Sequence, residues 1–248
     1  MALGLCFILP NTTNAKKVLV IDIGGTHVKA LASGRRQPVR IISGPEMTPR
    51  KMVADVRKAT TGWDYSAISI GYPGAVVNNR IVSEPHNLAP GWIGFDFHKA
   101  FRHPVKLIND AAMQALGSYR GGRMLFLGLG AGLGSAMIVD GILEPMELAH
   151  LPYKNGRTYE DYTGVRGLEH WGKKKWRRNV VDVIQRLKAA LEPDYVVLGG
   201  GNAKQMKKLP AGVELGDNAN AFRGGFRLWR KAQEAAKRGR KRLLIIKK

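Results

Sequence analysis

The sequence predicts an α/β protein of two similar lobes that face each other across a central cleft. Apolar strands alternate with helical patterns, and three strands run directly into glycine turns. The strand, glycine turn and strand that open the chain are echoed by a second such unit in its latter half, so a ligand is expected between the two turns. A chain of 248 residues with 44% hydrophobic content can bury a substantial core, either as one large domain or as two small lobes.

Taken in order, residues 1–16 read as an N-terminal extension: mostly apolar, without a basic n-region, and interrupted at Pro10. Residues 17–42 open as a β-meander, with strands at Val18–Ile23, Val28–Ala32 and Pro38–Ile42. Thr48 can cap a helix through Met52, Val53 and Val56, and Ala67–Gly71 is a short buried strand. Val105–Asn109 is another strand, followed by a helix from Ala111 to Tyr119 that stops at Gly121-Gly122. Met124–Leu127 then enters the second glycine turn, Gly128–Gly134, and a further strand reaches Asp140-Gly141. Val180, Val183, Ile184, Leu187 and Leu191 keep helical spacing, and Tyr195–Leu198 leads into the third turn, Gly199–Asn202. Residues 219–238 read as helical but interrupted at Gly224-Gly225, and Leu243–Ile246 is too short to classify. The expected division is the extension 1–16, a smaller lobe 17–110, and a larger lobe 111–248 that includes a basic C-terminal segment.

Composition narrows the partners. A single cysteine, Cys6, excludes an internal disulfide framework and cysteine-based zinc sites, which suits a reducing cytoplasm, the expected location. No apolar stretch approaches the roughly 18 to 20 residues of a spanning helix, so no membrane partner is expected. The 40 Lys and Arg against 19 Asp and Glu leave a net charge of +21. Basic residues concentrate at Lys173-Lys174-Lys175-Trp176-Arg177-Arg178 and from Arg227 to Lys248, where only Glu234 opposes them. Nucleic acid is the default partner for such a profile, and a solvated charged face is the ordinary alternative. A polymeric phosphate is a third, and the glycine turns favour it over specific nucleic acid.

The first turn carries the most chemistry. In Asp22-Ile23-Gly24-Gly25-Thr26, with Lys29 beyond, adjacent glycines let backbone N–H groups approach an anion, while Thr26 and Lys29 add a hydroxyl and a point charge. Asp22 ends the strand as a carboxylate near phosphate, a position suited to Mg²⁺. The spacing matches neither GxxxxGK[ST] nor GxGxxG. Asn109-Asp110 ends a strand with an amide and a carboxylate; Asn109 can hold a hydroxyl and Asp110 can accept its proton during attack on phosphorus. The same pair is also an ordinary helix N-cap. Glu147 and His150, with Asn87 and Glu160, offer the convergent polar groups a sugar needs, and no cysteine or second histidine completes a zinc shell around them.

In these motifs the chain resembles the ROK family of sugar kinases. Asp22-Ile23-Gly24-Gly25-Thr26 is similar to the family's DxGGT phosphate hairpin, and Gly130, Gly132 and Gly134, before Asp140-Gly141, to its second phosphate motif, GTGxG. Asn109-Asp110 resembles the pair whose aspartate is the catalytic base, and Glu147 with His150 the ExGH sugar motif. Asn87, within Glu84-Pro85-His86-Asn87-Leu88, resembles the sugar loop, and Glu160 falls where a further sugar-binding glutamate stands. The resemblance implies an actin-like/hexokinase-like (ribonuclease H-like) two-lobed ATPase fold with a central cleft. It implies Asp110 as base; Asn87, Asn109, Glu147, His150 and Glu160 on the sugar; and Asp22, Gly24, Gly25, Thr26, Lys29, Gly130, Gly132, Gly134, Gly200 and Gly201 on the phosphoryl donor, with Mg²⁺ at Asp22. A homodimer is implied as well.

Three departures stand out. The cysteine-rich zinc motif that many members carry after ExGH is missing, Ala149 replaces the glycine of ExGH, and Ala131 replaces the threonine of GTGxG. Zinc-free members whose second motif ends in Gly-Ser-Ala are similar to the polyphosphate glucokinase branch. The expected activity is transfer of the terminal phosphoryl group of polyphosphate, or of ATP, to the 6-hydroxyl of glucose or a related hexose. An ATP-dependent hexokinase is the first alternative. A sugar-responsive regulator is the second, but such relatives carry an N-terminal helix-turn-helix module, and only 16 residues precede the first strand.

Overall fold

The computed structural model describes residues 16–217 and 219–237, with side chains as far as Trp229. Apart from Lys16, the N-terminal extension lies outside the described residues, as do Leu243–Ile246 and the end of the basic C-terminal segment.

Two five-stranded sheets form the frame. The first contains β1 (Val18–Ile23), β2 (His27–Ala32), β3 (Val39–Ile42), β4 (Ala67–Tyr72) and, after the small β5–β6 ribbon (Val76–Val77 and Arg80–Ile81), β7 (Val105–Asn109), in the order β3-β2-β1-β4-β7. The second contains β8 (Arg123–Leu129), β9 (Leu133–Val139), β10 (Ile142–Met146), β11 (Tyr195–Gly199) and β12 (Val213–Leu215), in the order β10-β9-β8-β11-β12. In each sheet the first three strands of the sequence are antiparallel neighbours and the last two pair in parallel. The second sheet therefore repeats the first strand for strand, and the repeat expected from the glycine turns is structural.

Helices cover the sheets according to where the sequence is apolar. α1 (Pro49–Ala59) starts at Thr48, whose side chain accepts from Lys51 N–H at 3.2 Å, and it buries Met52, Val53 and Val56. With α2 (Phe97–Phe101) and Trp92 it covers the outer face of the first sheet. α4 (Tyr159–Thr163) and α5 (Val165–Leu191) cover the outer face of the second, where Val180, Val183, Ile184 and Leu187 are buried as their spacing predicts. α5 begins earlier than that spacing shows and is broken at Gly172, whose φ of +67° no helix accommodates. The run Lys173–Arg178 opens the second segment of α5; Trp176 within it is fully buried and donates from Nε1 to Thr163 O at 2.8 Å.

α3 (Asp110–Ser118) and α6 (Asn220–Lys237) lie between the two sheets. α3 packs Ala111, Ala112, Ala115 and Leu116 on the second sheet, while α6 packs Ala221, Phe222 and Trp229 against Val18 and Val20 of the first. The interruption expected at Gly224-Gly225 does not occur. There α6 is in such close contact that a Cβ on Gly224 would lie 1.8 Å from Met113 O, and one on Gly225 2.3 Å from a Val20 methyl. The glycines thus serve interhelical and helix–sheet approach rather than a break. α6 falls within the segment 111–248 of the expected division, yet it covers the first sheet. Among the described residues no helix is long and apolar enough to cross a membrane.

Candidate active site

The first hairpin forms because Asp22 and Lys29 are directly opposed across β1 and β2, which brings Lys29 Nζ to 3.5 Å from Asp22 Oδ2. Burial pushes the Asp22 carboxyl above the ordinary range, and the ammonium partly offsets this. The turn is braced by Gly24 N–H to His27 O at 3.0 Å and by Ser43, whose hydroxyl donates to Gly24 O at 2.6 Å. A Cβ on Gly25 would stand 3.2 Å from Asn87 Cβ, so the loop carrying Asn87 rests directly on the hairpin. That loop is organised by Glu84, which accepts from the N–H groups of Gly91, Trp92 and Ile93 at 3.1 to 3.2 Å.

The second hairpin is built at the equivalent register but without charge: Gly128 and Gly134 face each other where Asp22 and Lys29 do in the first. Its turn is held by Asn202, which donates from Nδ2 to Gly130 O at 3.1 Å, and by Glu160, whose Oε2 accepts from Leu133 N–H at 3.2 Å. The third turn packs on the second. Gly200 has a φ of +81°, and a Cβ there would fall 2.4 Å from Leu129 O. No other residue fits that place.

Between these turns lies a cleft of about 740 Å³. It brings together Asp22, Gly24, Gly25, Thr26 and Lys29 from the first hairpin, Asn87 from its loop, Asp110 from the start of α3, Gly130 from the second hairpin, and Gly200 and Gly201 from the third turn. Asp110 follows β7 without a spacer, and its Oδ1 accepts from Ala111 N–H at 2.7 Å. Its carboxyl is pushed up to about 7, chiefly by burial, then by the charge of Asp22 and to a smaller degree that of Glu147, against backbone hydrogen bonds that favour the carboxylate. An acid-base group poised near neutrality, at the meeting of two glycine hairpins, is suited to taking a proton from a hydroxyl.

Other expected ligands stand elsewhere. Asn109 spends its side chain on the backbone, Oδ1 accepting from Ala112 N–H and Nδ2 donating to Gly74 O, both at 3.1 Å. It is therefore the N-cap of α3, the ordinary alternative for such a pair. Glu160 braces the second turn and pairs with Arg166 at 3.4 Å instead of lining the cleft. Gly132 lies against Glu160 and Gly134 against Ala111, so both allow close packing behind the turn. Glu147 precedes and His150 ends a short 3-10 turn, Leu148–His150, and both are exposed outside the cleft lining. The methyl of Ala149 is buried in the core of the second lobe.

The cleft also contains His86 and Gln114, which sequence reasoning passed over. His86 adjoins Asn87 in the quoted loop, and Gln114 lies four residues after Asp110, hence on the same face of α3. That helical phase was the available signal. For a metal, the donor set is Asp22 and Asp110; among the described residues no group of three or more His, Cys, Asp or Glu is placed to hold an ion.

Two repeated sheets with a cleft between glycine hairpins are the architecture of the actin-like/hexokinase-like fold. The structure is similar to the inorganic polyphosphate/ATP-glucomannokinase of Arthrobacter sp. strain KM, with a TM-score of 0.75 and 22% identity over 88% of this chain and 99% of that one. It is also similar to a ROK family glucokinase from Streptomyces griseus solved in complex with glucose and AMPPNP, with a TM-score of 0.71 and 17% identity over 87% and 99% of the respective chains. In sequence the chain is 26% identical over 221 residues to polyphosphate glucokinase of Mycobacterium tuberculosis, covering 80% of this chain and 83% of that protein. No protein-family model matches. In fold the chain is similar to ROK sugar kinases, and in sequence it is similar to polyphosphate glucokinase.

Proposed function

We propose that the protein transfers the terminal phosphoryl group of inorganic polyphosphate, and of ATP as a second donor, to the 6-hydroxyl of glucose or a related hexose. The observation that carries this reading is the half-buried Asp110, poised near neutrality where the hairpins converge. Asp110 takes the hydroxyl proton as the sugar oxygen attacks the terminal phosphorus. The bridging P–O bond then breaks and leaves a donor one phosphate shorter. Lys29 and the backbone N–H groups of the glycine turns hold the charge that moves through the transferred group. Asp22 and Asp110 fit Mg²⁺, which takes one or two carboxylates together with substrate phosphates; when bound, the ion neutralises donor charge.

Asn87 meets the sugar directly in this reading, and closure of the lobes adds Glu147 and His150. Asn109 and Glu160 act as positioning residues, because their side chains are committed to the α3 cap and the second turn. Support for polyphosphate comes from the similarity to polyphosphate glucokinase and from the net charge of +21. The second reading, ATP as sole donor, draws on the similarity to a glucokinase that binds AMPPNP.

Parallel assays of glucose phosphorylation with nucleotide-free long-chain polyphosphate and with ATP separate the two. Activity with ATP alone removes the polyphosphate reading. A folded Asp110→Asn variant is expected to lose about 10²- to 10⁴-fold in kcat; one that keeps most of its activity removes Asp110 as base.

A further inference from the structure

The net charge is not spread evenly along the chain. Residues 110–217, which include α3 and the whole second sheet, carry 15 Lys and Arg against 12 Asp and Glu. Residues 1–109 carry 14 against 6, and residues 218–248 carry 11 against one. The excess therefore belongs to the first lobe and to the segment that begins with α6.

Topology gathers much of it at one end of the first sheet. β1 begins where β2 ends, since Leu19 stands opposite Ala32, and β4 and β7 begin at the same end, with Val18 beside Ala67 and Ile68 beside Val105. Three connections meet there: the turn after β2 with Arg35 and Arg36, the passage out of α1 with Arg57 and Lys58, and the passage out of α2 with Arg102. The Arg35 guanidinium covers the Trp63 ring at 4.1 Å, while Lys16 and Lys106 lie over the Trp229 ring at 4.9 and 4.6 Å. Burial, and then the charge of Lys16, holds the Lys106 ammonium below its ordinary range. The acid on these connections, Asp64, is paired with Lys17. Lys16, Arg35, Arg36, Arg57, Lys58 and Arg102 are exposed and form no ion pair among the described residues. A merely solvated surface intersperses charges of both signs.

We propose that this end of the first sheet docks on an anionic lipid surface. The apolar sequence attached here decides for lipid over nucleic acid. Leu3, Leu5, Phe7, Ile8 and Leu9 precede Lys16, and beyond Trp229 nine Lys and Arg against one Glu enclose Leu243-Leu244-Ile245-Ile246. Apolar side chains among clustered cations suit the boundary between headgroups and acyl chains, and such a contact needs no spanning helix. A single-stranded nucleic acid would instead need aromatic faces for its bases. Here Trp63 is already covered by Arg35, and Trp229 is 8% exposed beneath two lysines. The cleft opens at the far end of β1, six residues or roughly 20 Å away, so a protein seated on this face keeps its cleft towards solvent.

The test is flotation of the full chain with vesicles of phosphatidylcholine, with and without phosphatidylglycerol, in the absence of polyphosphate. The unaltered protein is expected to bind the anionic vesicles, less so as salt rises, and to leave phosphatidylcholine alone unbound. The combined variant Lys16→Gln, Arg36→Gln, Arg57→Gln, Lys58→Gln is compared with one that removes equal charge from the second lobe, Lys173→Gln, Lys174→Gln, Lys207→Gln, Lys208→Gln. A Lys or Arg near an anionic leaflet contributes about fivefold, so the first variant should bind roughly 100- to 600-fold more weakly and the second should stay within about fivefold of the parent. Equal melting temperatures verify that both fold. Absent binding to anionic vesicles, or equal binding to phosphatidylcholine alone, overturns the proposal without any variant. An equal loss in the two variants also overturns it, because net charge and not this face would then be the cause. If single-stranded RNA binds where the vesicles do not, and the first variant loses it, the face belongs to nucleic acid and the lipid assignment falls.

Discussion

Replacing Asp110 by asparagine is expected to remove activity and to stabilise the fold, with the stabilisation growing as pH rises. The Asp110 carboxyl is held at about 7 in the folded protein against 3.8 for an unperturbed aspartate. At about 1.4 kcal/mol per unit, keeping it ionised costs the folded state about 4 kcal/mol. The carboxylate is only half-buried and lines the open cleft, which brings the expected figure to about 2 to 4 kcal/mol. Because the folded value is raised, this cost is absent below about pH 3.8, grows through the interval, and is complete above about pH 7. Asparagine keeps the hydrogen bond from Ala111 N–H and has no charge to desolvate. In urea unfolding the variant should therefore exceed the unaltered protein by about 2 to 4 kcal/mol at pH 8, or roughly 5 to 10 °C in Tm, and the gap at pH 5 should be about two fifths as large. Asp22 titrates in both proteins and largely cancels from the difference. A gap that does not change with pH, or a variant less stable than the parent at pH 8, refutes the assignment of a raised carboxyl to Asp110. The same titration should appear in kcat/KM for glucose as an acid limb that rises about tenfold per pH unit towards pH 7.

Asp22→Asn should move that acid limb to lower pH, since one of the charges that raises Asp110 is gone, and it should increase the Mg²⁺ needed for half-maximal rate; pH profiles and Mg²⁺ titrations read the two effects separately. Glu84→Ala removes the acceptor of three backbone N–H groups on an exposed loop, and is expected to cost about 1 to 2 kcal/mol of loop order and raise KM for glucose up to roughly tenfold, with little change in KM for the donor. Gly224→Ala forces a methyl to within 1.8 Å of Met113 O and should destabilise by at least about 1 to 3 kcal/mol in urea unfolding, without touching the cleft.

What could be read from the sequence was set by how local the determinants are. The first hairpin needs only the residues from Val18 to Ala32: the turn length fixes the register, and the register places Lys29 opposite Asp22. The second hairpin is legible for the same reason, and so is Asp110, which lies where a strand becomes a helix. Glu160 is different. It reaches the second turn from 27 residues further along the chain, and nothing local distinguishes a carboxylate that braces a turn from one that meets a sugar. Asn109 offered two readings, of which the helix cap is the commoner for such a pair, and its side chain bonds the backbone groups of Ala112 and Gly74. Gly224-Gly225 was misleading because a glycine pair lowers helix propensity, while the contacts that favour it here come from α3 and β1, more than a hundred residues earlier.

The position of Asp110 is what joins these parts into one site. It is covalently continuous with β7 of the first sheet, while the helix it begins packs through Ala111, Ala112, Ala115 and Leu116 on the second. Gly134 of the second hairpin approaches α3 so closely that a Cβ would come within 2.7 Å of Ala111 Cβ. The carboxylate is thus referenced to both lobes through packing one residue away from it, and it senses charge from both, Asp22 on one side and Glu147 on the other. α6 secures the same helix to the first sheet: Asn220 Nδ2 donates to Ser118 Oγ at 2.9 Å, and Ser69 of β4 donates to Gly225 O at 2.7 Å.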